Sequence, residues 1–140
     1  MKRASYLSLI LLPLSLIFAG CGAKRDLKQA DEAVTGFHAQ LNAGSFDQIY
    51  SDSDDLLKNA ISQQKFVNLL DAVHRKLGSA ESADRQGFFI NYGTQGEMIR
   101  VTYATRYDGD QASEEFVFHN GRDGLRLVGY HINSDALITQ

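Results

Sequence analysis

The chain has one cysteine, Cys21, and one proline, Pro13, among its 140 residues. A lone cysteine excludes an internal disulfide, so the domain depends on its packed core. After Pro13 no proline interrupts the chain, and there is no low-complexity linker and no internal repeat. Long apolar runs are also missing. The longest, Tyr6 to Phe18, carries Ser8 and Ser15 and is broken by Pro13, whereas a spanning helix needs roughly 20 apolar residues. A basic excess is absent too: residues 21–140 hold 12 Lys+Arg against 17 Asp+Glu. That balance argues against a nucleic-acid partner, which calls for a clustered basic surface. The chain contains neither Gly-x-Ser-x-Gly nor a phosphate-binding loop; Gly93-Thr94-Gln95-Gly96 lacks the Lys and the helix that would follow one.

What is present begins with Lys2 and Arg3, then the Tyr6–Phe18 run, then Ala19-Gly20-Cys21. Charge, a short apolar stretch and small residues in that order make an export signal over residues 1–20. Its end resembles the lipobox of bacterial lipoproteins, with Phe18 where the pattern prefers Leu. The resemblance implies cleavage before Cys21, a diacylglyceryl thioether on its sulfur and acylation of its new amine. Several acyl chains give a stable membrane anchor where one does not. Gly22, rather than Asp, tilts the expectation toward the outer membrane, facing the periplasm. Residues 21–26 are expected to be the lipidated Cys and a short tether, and 27–140 a single α+β domain of ample size for its own core.

Within that domain, Leu27, Ala30, Val34, Phe37 and Leu41 form one apolar helical stripe. Gly44 suits a left-handed cap, and Ser45 with Gln48 reads as a capping box. Ser53 is expected to cap a short helix over Asp54–Ala60. The acidic run Asp52-Ser53-Asp54-Asp55 is thereby read as capping rather than as a cation site. From Ser62, Phe66, Leu69, Leu70, Val73 and Leu77 mark a second apolar face, stopped by Gly78. The period then changes to two. Strands are expected over Gln86–Tyr92, Glu97–Tyr107, Glu115–His119 and Leu125–Ile132, with turns at the intervening Gly and Asp residues. One register buries Ile99, Val101, Tyr103, Phe116, Phe118, Val128, Tyr130 and Ile132 together. It leaves Arg100, Arg106, His119 and His131 outside, with Val117, Leu125 and Leu127 among them.

Helices followed by an antiparallel meander make an α+β architecture. From Leu27 to Ile132 the order resembles the nuclear transport factor 2-like (cystatin-like) fold, a bent sheet of about four strands wrapping a long helix. The stretches Ala33–Tyr50, Ser62–Gly78 and Leu127–Ile132 resemble small exported bacterial families of unknown function. The resemblance implies a pocket at one end of the sheet, for which Tyr50, Tyr103 and Tyr130 are the candidate lining residues. No catalytic residue, cofactor or metal site is predicted. His38 reads as a boundary histidine, and His119 with His131 lacks a third ligand. The chain reads as an interaction module for another envelope protein or for a second copy of itself, through Val117, Leu125 and Leu127. The alternative is a small-molecule pocket protein or an enzyme of this fold.

Overall fold

The computed structural model describes residues 21–138. The export signal expected over residues 1–20 lies outside them. Helix α1 spans Cys21–Asn42, α2 Phe46–Asp52, α3 Asp55–Ala60 and α4 Gln63–Leu77. Strands β1 (Ala80–Gly93), β2 (Gly96–Tyr107), β3 (Gln111–Gly121) and β4 (Gly124–Asn133) follow, then a last turn, α5, at Asp135–Ile138. The segment expected as a tether is therefore helical from Cys21 onward. None of the described helices is long and apolar enough to cross a membrane.

The apolar stripe of α1 packs as its spacing requires: Ala30, Val34, Phe37 and Leu41 are buried, with Leu27 half-buried at the start. Gly44 closes the helix at φ 69° and Gly78 closes α4 at φ 81°, both in the region open to glycine. On α4, Phe66, Leu70, Val73 and Leu77 are buried, but Leu69 is exposed on the flank. Leu70 lies fully inside, so Leu70→Ala is expected to cost about 3 kcal/mol. Denaturant titration checks it, and an unshifted midpoint would place that face in solvent.

Two caps differ from the expected ones. Asp54, not Ser53, caps α3, accepting from the Leu56 amide at 2.9 Å. Ser53 is buried at the end of α2, where its hydroxyl donates to the Ile49 carbonyl. Ser45 precedes α2 without a side-chain cap bond, and Gln48 turns instead to Asp52 at 2.7 Å.

The four strands form one antiparallel sheet in the order β1-β2-β3-β4. β1 begins at Ala80, six residues ahead of the expected strand. Ile99, Val101, Tyr103, Phe116 and Phe118 share the buried face as expected. The β3–β4 ladder, however, pairs Val117 with Gly129 and then Phe118 with Leu127, passing over Val128. That bulge reverses the side-chain alternation beyond it. Tyr130 aligns with Phe116 on the inner face, and Leu127 aligns with Phe118 on that same face. Leu127 is consequently a core residue and Leu125 packs against the core. Val117 stays on the other face, packed against Gly129. The proposed surface of Val117, Leu125 and Leu127 is split between the two sides of the sheet.

Candidate functional site

Beside its apolar stripe, α1 carries a second one. Asp31, Thr35, His38 and Asn42 recur at spacings of 4, 3 and 4 and so share a helix flank. That flank faces the start of β1. Asn42 clamps the strand in both directions, donating to the Ala80 carbonyl at 2.9 Å and accepting from its amide at 2.8 Å. Farther along, Arg85 donates to Asp31 at 2.6 Å. Tyr103 on β2 donates to the same Asp31 oxygen at 2.5 Å. Between these two ties, helix and strand stand apart around a cleft of about 530 Å³, lined by Asp31, Thr35, His38, Ala83, Asp84 and Tyr103 among others. The β1–β2 ladder has irregularities between Ala80 and Ser82 and between Arg85 and Gly87, so β1 is bulged along the cleft.

His38 joins the cleft to a buried polar cluster. Its Nε2–H donates to Glu114 Oε2 at 2.8 Å. Glu114 comes from β3 and has no exposed surface. Thr105 donates to the same oxygen at 2.5 Å, and Tyr107 and Tyr130 donate to the other at 2.7 and 2.6 Å. Four donors thus surround one carboxylate, and a buried carboxylate is tolerable only when paired in this way. Around the cluster stand Phe37 and Phe116, whose rings meet edge to face at 5.0 Å.

The electrostatics follow from this geometry. Burial raises the Glu114 carboxyl, but the hydrogen bond and charge of His38, then the bonds from Thr105 and Tyr107, outweigh it and hold it below its ordinary value. The Tyr107 phenol is pushed up by burial and then by the Glu114 charge, and Tyr130 likewise. Burial also raises Tyr103, aided by Asp31. All three tyrosines stay protonated donors at neutral pH. With Nε2 committed to Glu114, the other ring nitrogen, Nδ1, has no hydrogen-bond partner among the described residues.

The three candidate pocket tyrosines therefore separate. Tyr103 lines the cleft. Tyr130 belongs to the Glu114 cluster behind it. Tyr50 does neither: its hydroxyl donates to the Ile61 carbonyl at 3.0 Å, tying α2 to the end of α3. Leu125 and Leu127 line a second hollow of about 360 Å³ with Phe37, Ile49 and Phe118. His119 pairs with the α3 cap Asp54 at 2.9 Å rather than with His131. Among the described residues no group of three or more His, Cys, Asp or Glu is placed to hold a metal ion. Sequence reasoning missed Asp31, Arg85 and Glu114. The signals were the polar stripe on α1 and the alternation Ala112-Glu114-Phe116-Phe118, which puts a carboxylate in line with core aromatics.

Residues 33–130 match the family described as protein of unknown function, DUF4019. The chain belongs to that family. The matched stretch includes His38, Arg85, Tyr103 and the whole Glu114 cluster; Asp31 lies two residues before it. No curated protein matches the chain. Among solved structures it is similar to a Streptomyces avermitilis protein of the nuclear transport factor 2-like family, named for a proposed dehydratase activity. Identity is 11%, the TM-score is 0.51, and the match covers 78% of this chain and 95% of that one. The likeness shows the fold, and this DUF4019 chain has a nuclear transport factor 2-like α+β architecture.

Proposed function

We propose that the chain is a cell-envelope protein, anchored by lipid on Cys21, whose domain binds a small polar molecule in the cleft between α1 and β1. The observation that carries the binding reading is a cleft of about 530 Å³ bordered by His38, with the buried Glu114 fixing the imidazole from behind. Pockets for small ligands combine such a concavity with a few oriented polar groups. The charged residues lining it are Asp31, Glu81 and Asp84 against Arg85. That balance favours a neutral or cationic ligand over an anion.

A set of small amines and polyols tests the binding reading by thermal shift. A ligand at about 100 times its dissociation constant stabilises by about 2.7 kcal/mol. Ala83→Trp fills the cleft from its β1 wall, so any such shift is expected to vanish in that variant. A shift that survives Ala83→Trp, or no shift from any member of the set, argues against the cleft. The His38–Glu114 dyad favours a second reading, in which His38 Nδ1 moves a proton on the bound molecule. A ligand bound equally by wild type and His38→Gln, but chemically changed by wild type alone, would establish it.

The anchor rests on Ala19-Gly20-Cys21. Labelled fatty acid is expected to enter the wild type and not Cys21→Ser. Equal labelling of the two would remove the lipid from the proposal.

A further inference from the structure

The far end of β1 carries the largest exposed aromatic side chains of the described residues. Phe88 is 56% exposed, Phe89 63% and Tyr92 73%. β1 is an edge strand, and among the described strands it pairs with β2 alone. Phe88 aligns with Val101 on the inner face of the sheet and Phe89 with Arg100 on the outer face. The aromatic surface therefore wraps round the strand edge. A second sheet laid against one face would cover only part of it.

The path of α1 indicates what covers it. Helix and strand run antiparallel, since Asn42 meets Ala80 and Asp31 meets Arg85. Arg85 also reaches back to the Leu27 carbonyl at 3.5 Å. Continuing that offset brings the first turns of α1 beside the aromatic end of β1. Cys21 is the first described residue of that helix, and the apolar Tyr6–Phe18 run precedes it in sequence. On the same turns Lys24, Arg25 and Lys28 are exposed, in a domain that is otherwise acidic. Aromatic rings beside basic side chains suit the headgroup layer of an anionic bilayer, where the ring enters the boundary and the cation meets phosphate.

We infer that Phe88, Phe89 and Tyr92, flanked by Lys24, Arg25 and Lys28, form a membrane-contact face that lays the β1–β2 end of the domain on an anionic lipid surface. The inference draws on the anchor at Cys21 only to bring the domain to the bilayer. It orients the domain with the aromatic end at the lipid and the β2–β3 turn near Asp108–Asp110 away from it.

The chain has no tryptophan, so an introduced indole reports alone. The full chain carrying Phe89→Trp is reconstituted into vesicles of phosphatidylethanolamine and phosphatidylglycerol containing brominated acyl chains. Its emission is expected to shift to the blue and to lose most of its intensity. Gln111→Trp, at an exposed position by the β2–β3 turn, is expected to be unaffected by the brominated lipid. Adding Lys24→Glu, Arg25→Glu and Lys28→Glu to the Phe89→Trp chain should restore much of the emission. If the indole at position 89 is as bright in brominated vesicles as in ordinary ones, the inference is overturned, and a crosslinked dimer through β1 in that case would identify a second copy as the occupant. Fatty-acid labelling separates the two ideas: labelling without quenching leaves the anchor and removes this face, and quenching without labelling does the reverse.

Discussion

Glu114→Ala is expected to destabilise the domain by about 3–5 kcal/mol, the range for removing one member of a buried charged pair. Four donors converge on this carboxylate, which has no exposed surface, and the substitution strands them. Glu114→Gln keeps the shape and the neutral bonds, and should lose less. The pair also sets an acid limit. Because the folded carboxyl is held below its ordinary value of 4.5, its contribution is present above that value and is lost as pH falls through the lower, folded one. Wild type should therefore weaken more steeply than Glu114→Gln below about pH 4.5. Denaturant midpoints for both chains across an acid pH series check this. Parallel curves would mean that the folded carboxyl is not selectively ionised.

Leu127→Glu is the second large effect, also about 3–5 kcal/mol, since it removes a core leucine and places a carboxyl where no partner awaits it. Leu127 is 7% exposed and packs with Phe118. Arg126→Glu, one residue away on an exposed position, should change stability by no more than about 0.5 kcal/mol. Circular dichroism melts of the two variants decide the matter. If Leu127→Glu melts like wild type, the bulge at Val128 is misplaced and the face of Leu125 and Leu127 is open after all.

Those two sites show where the sequence is transparent and where it is not. The helical stripes are legible because every turn repeats the vote: Ala30, Val34, Phe37 and Leu41 agree with one another. The β2 face is legible for the same reason, from Ile99 to Tyr103. A strand offers no such redundancy once a residue is inserted. Val128 looks like one more apolar residue in an alternating run, and nothing in its identity announces that the ladder passes over it. Everything N-terminal to it on β4 then changes side. Glu114 was hidden differently. Two adjacent glutamates read as the polar edge of a strand; the alternation with Phe116 and Phe118 turns one of them inward, and the pairing of β3 with β2 and β4 brings it to Tyr107 and Tyr130. His38 looked like a boundary residue because its partner is 76 residues away. The cleft itself depends on the offset between α1 and a bulged β1, which no local pattern encodes.

The meander order of the sheet has a kinetic consequence. Each strand pairs with its neighbour in sequence, so β1 through β4 can zip by successive hairpins with short loops to close. The costly closures are those that bring α1 back across the sheet, Asp31 to Tyr103 and His38 to Glu114, spanning 72 and 76 residues. Docking of α1 should then come late in folding, and the cleft it shares with β1 should come into being with that last step. Substitutions at Asn42 or Asp31 would in that case act mainly on the unfolding rate, while changes at the β2–β3 turn would act on the folding rate.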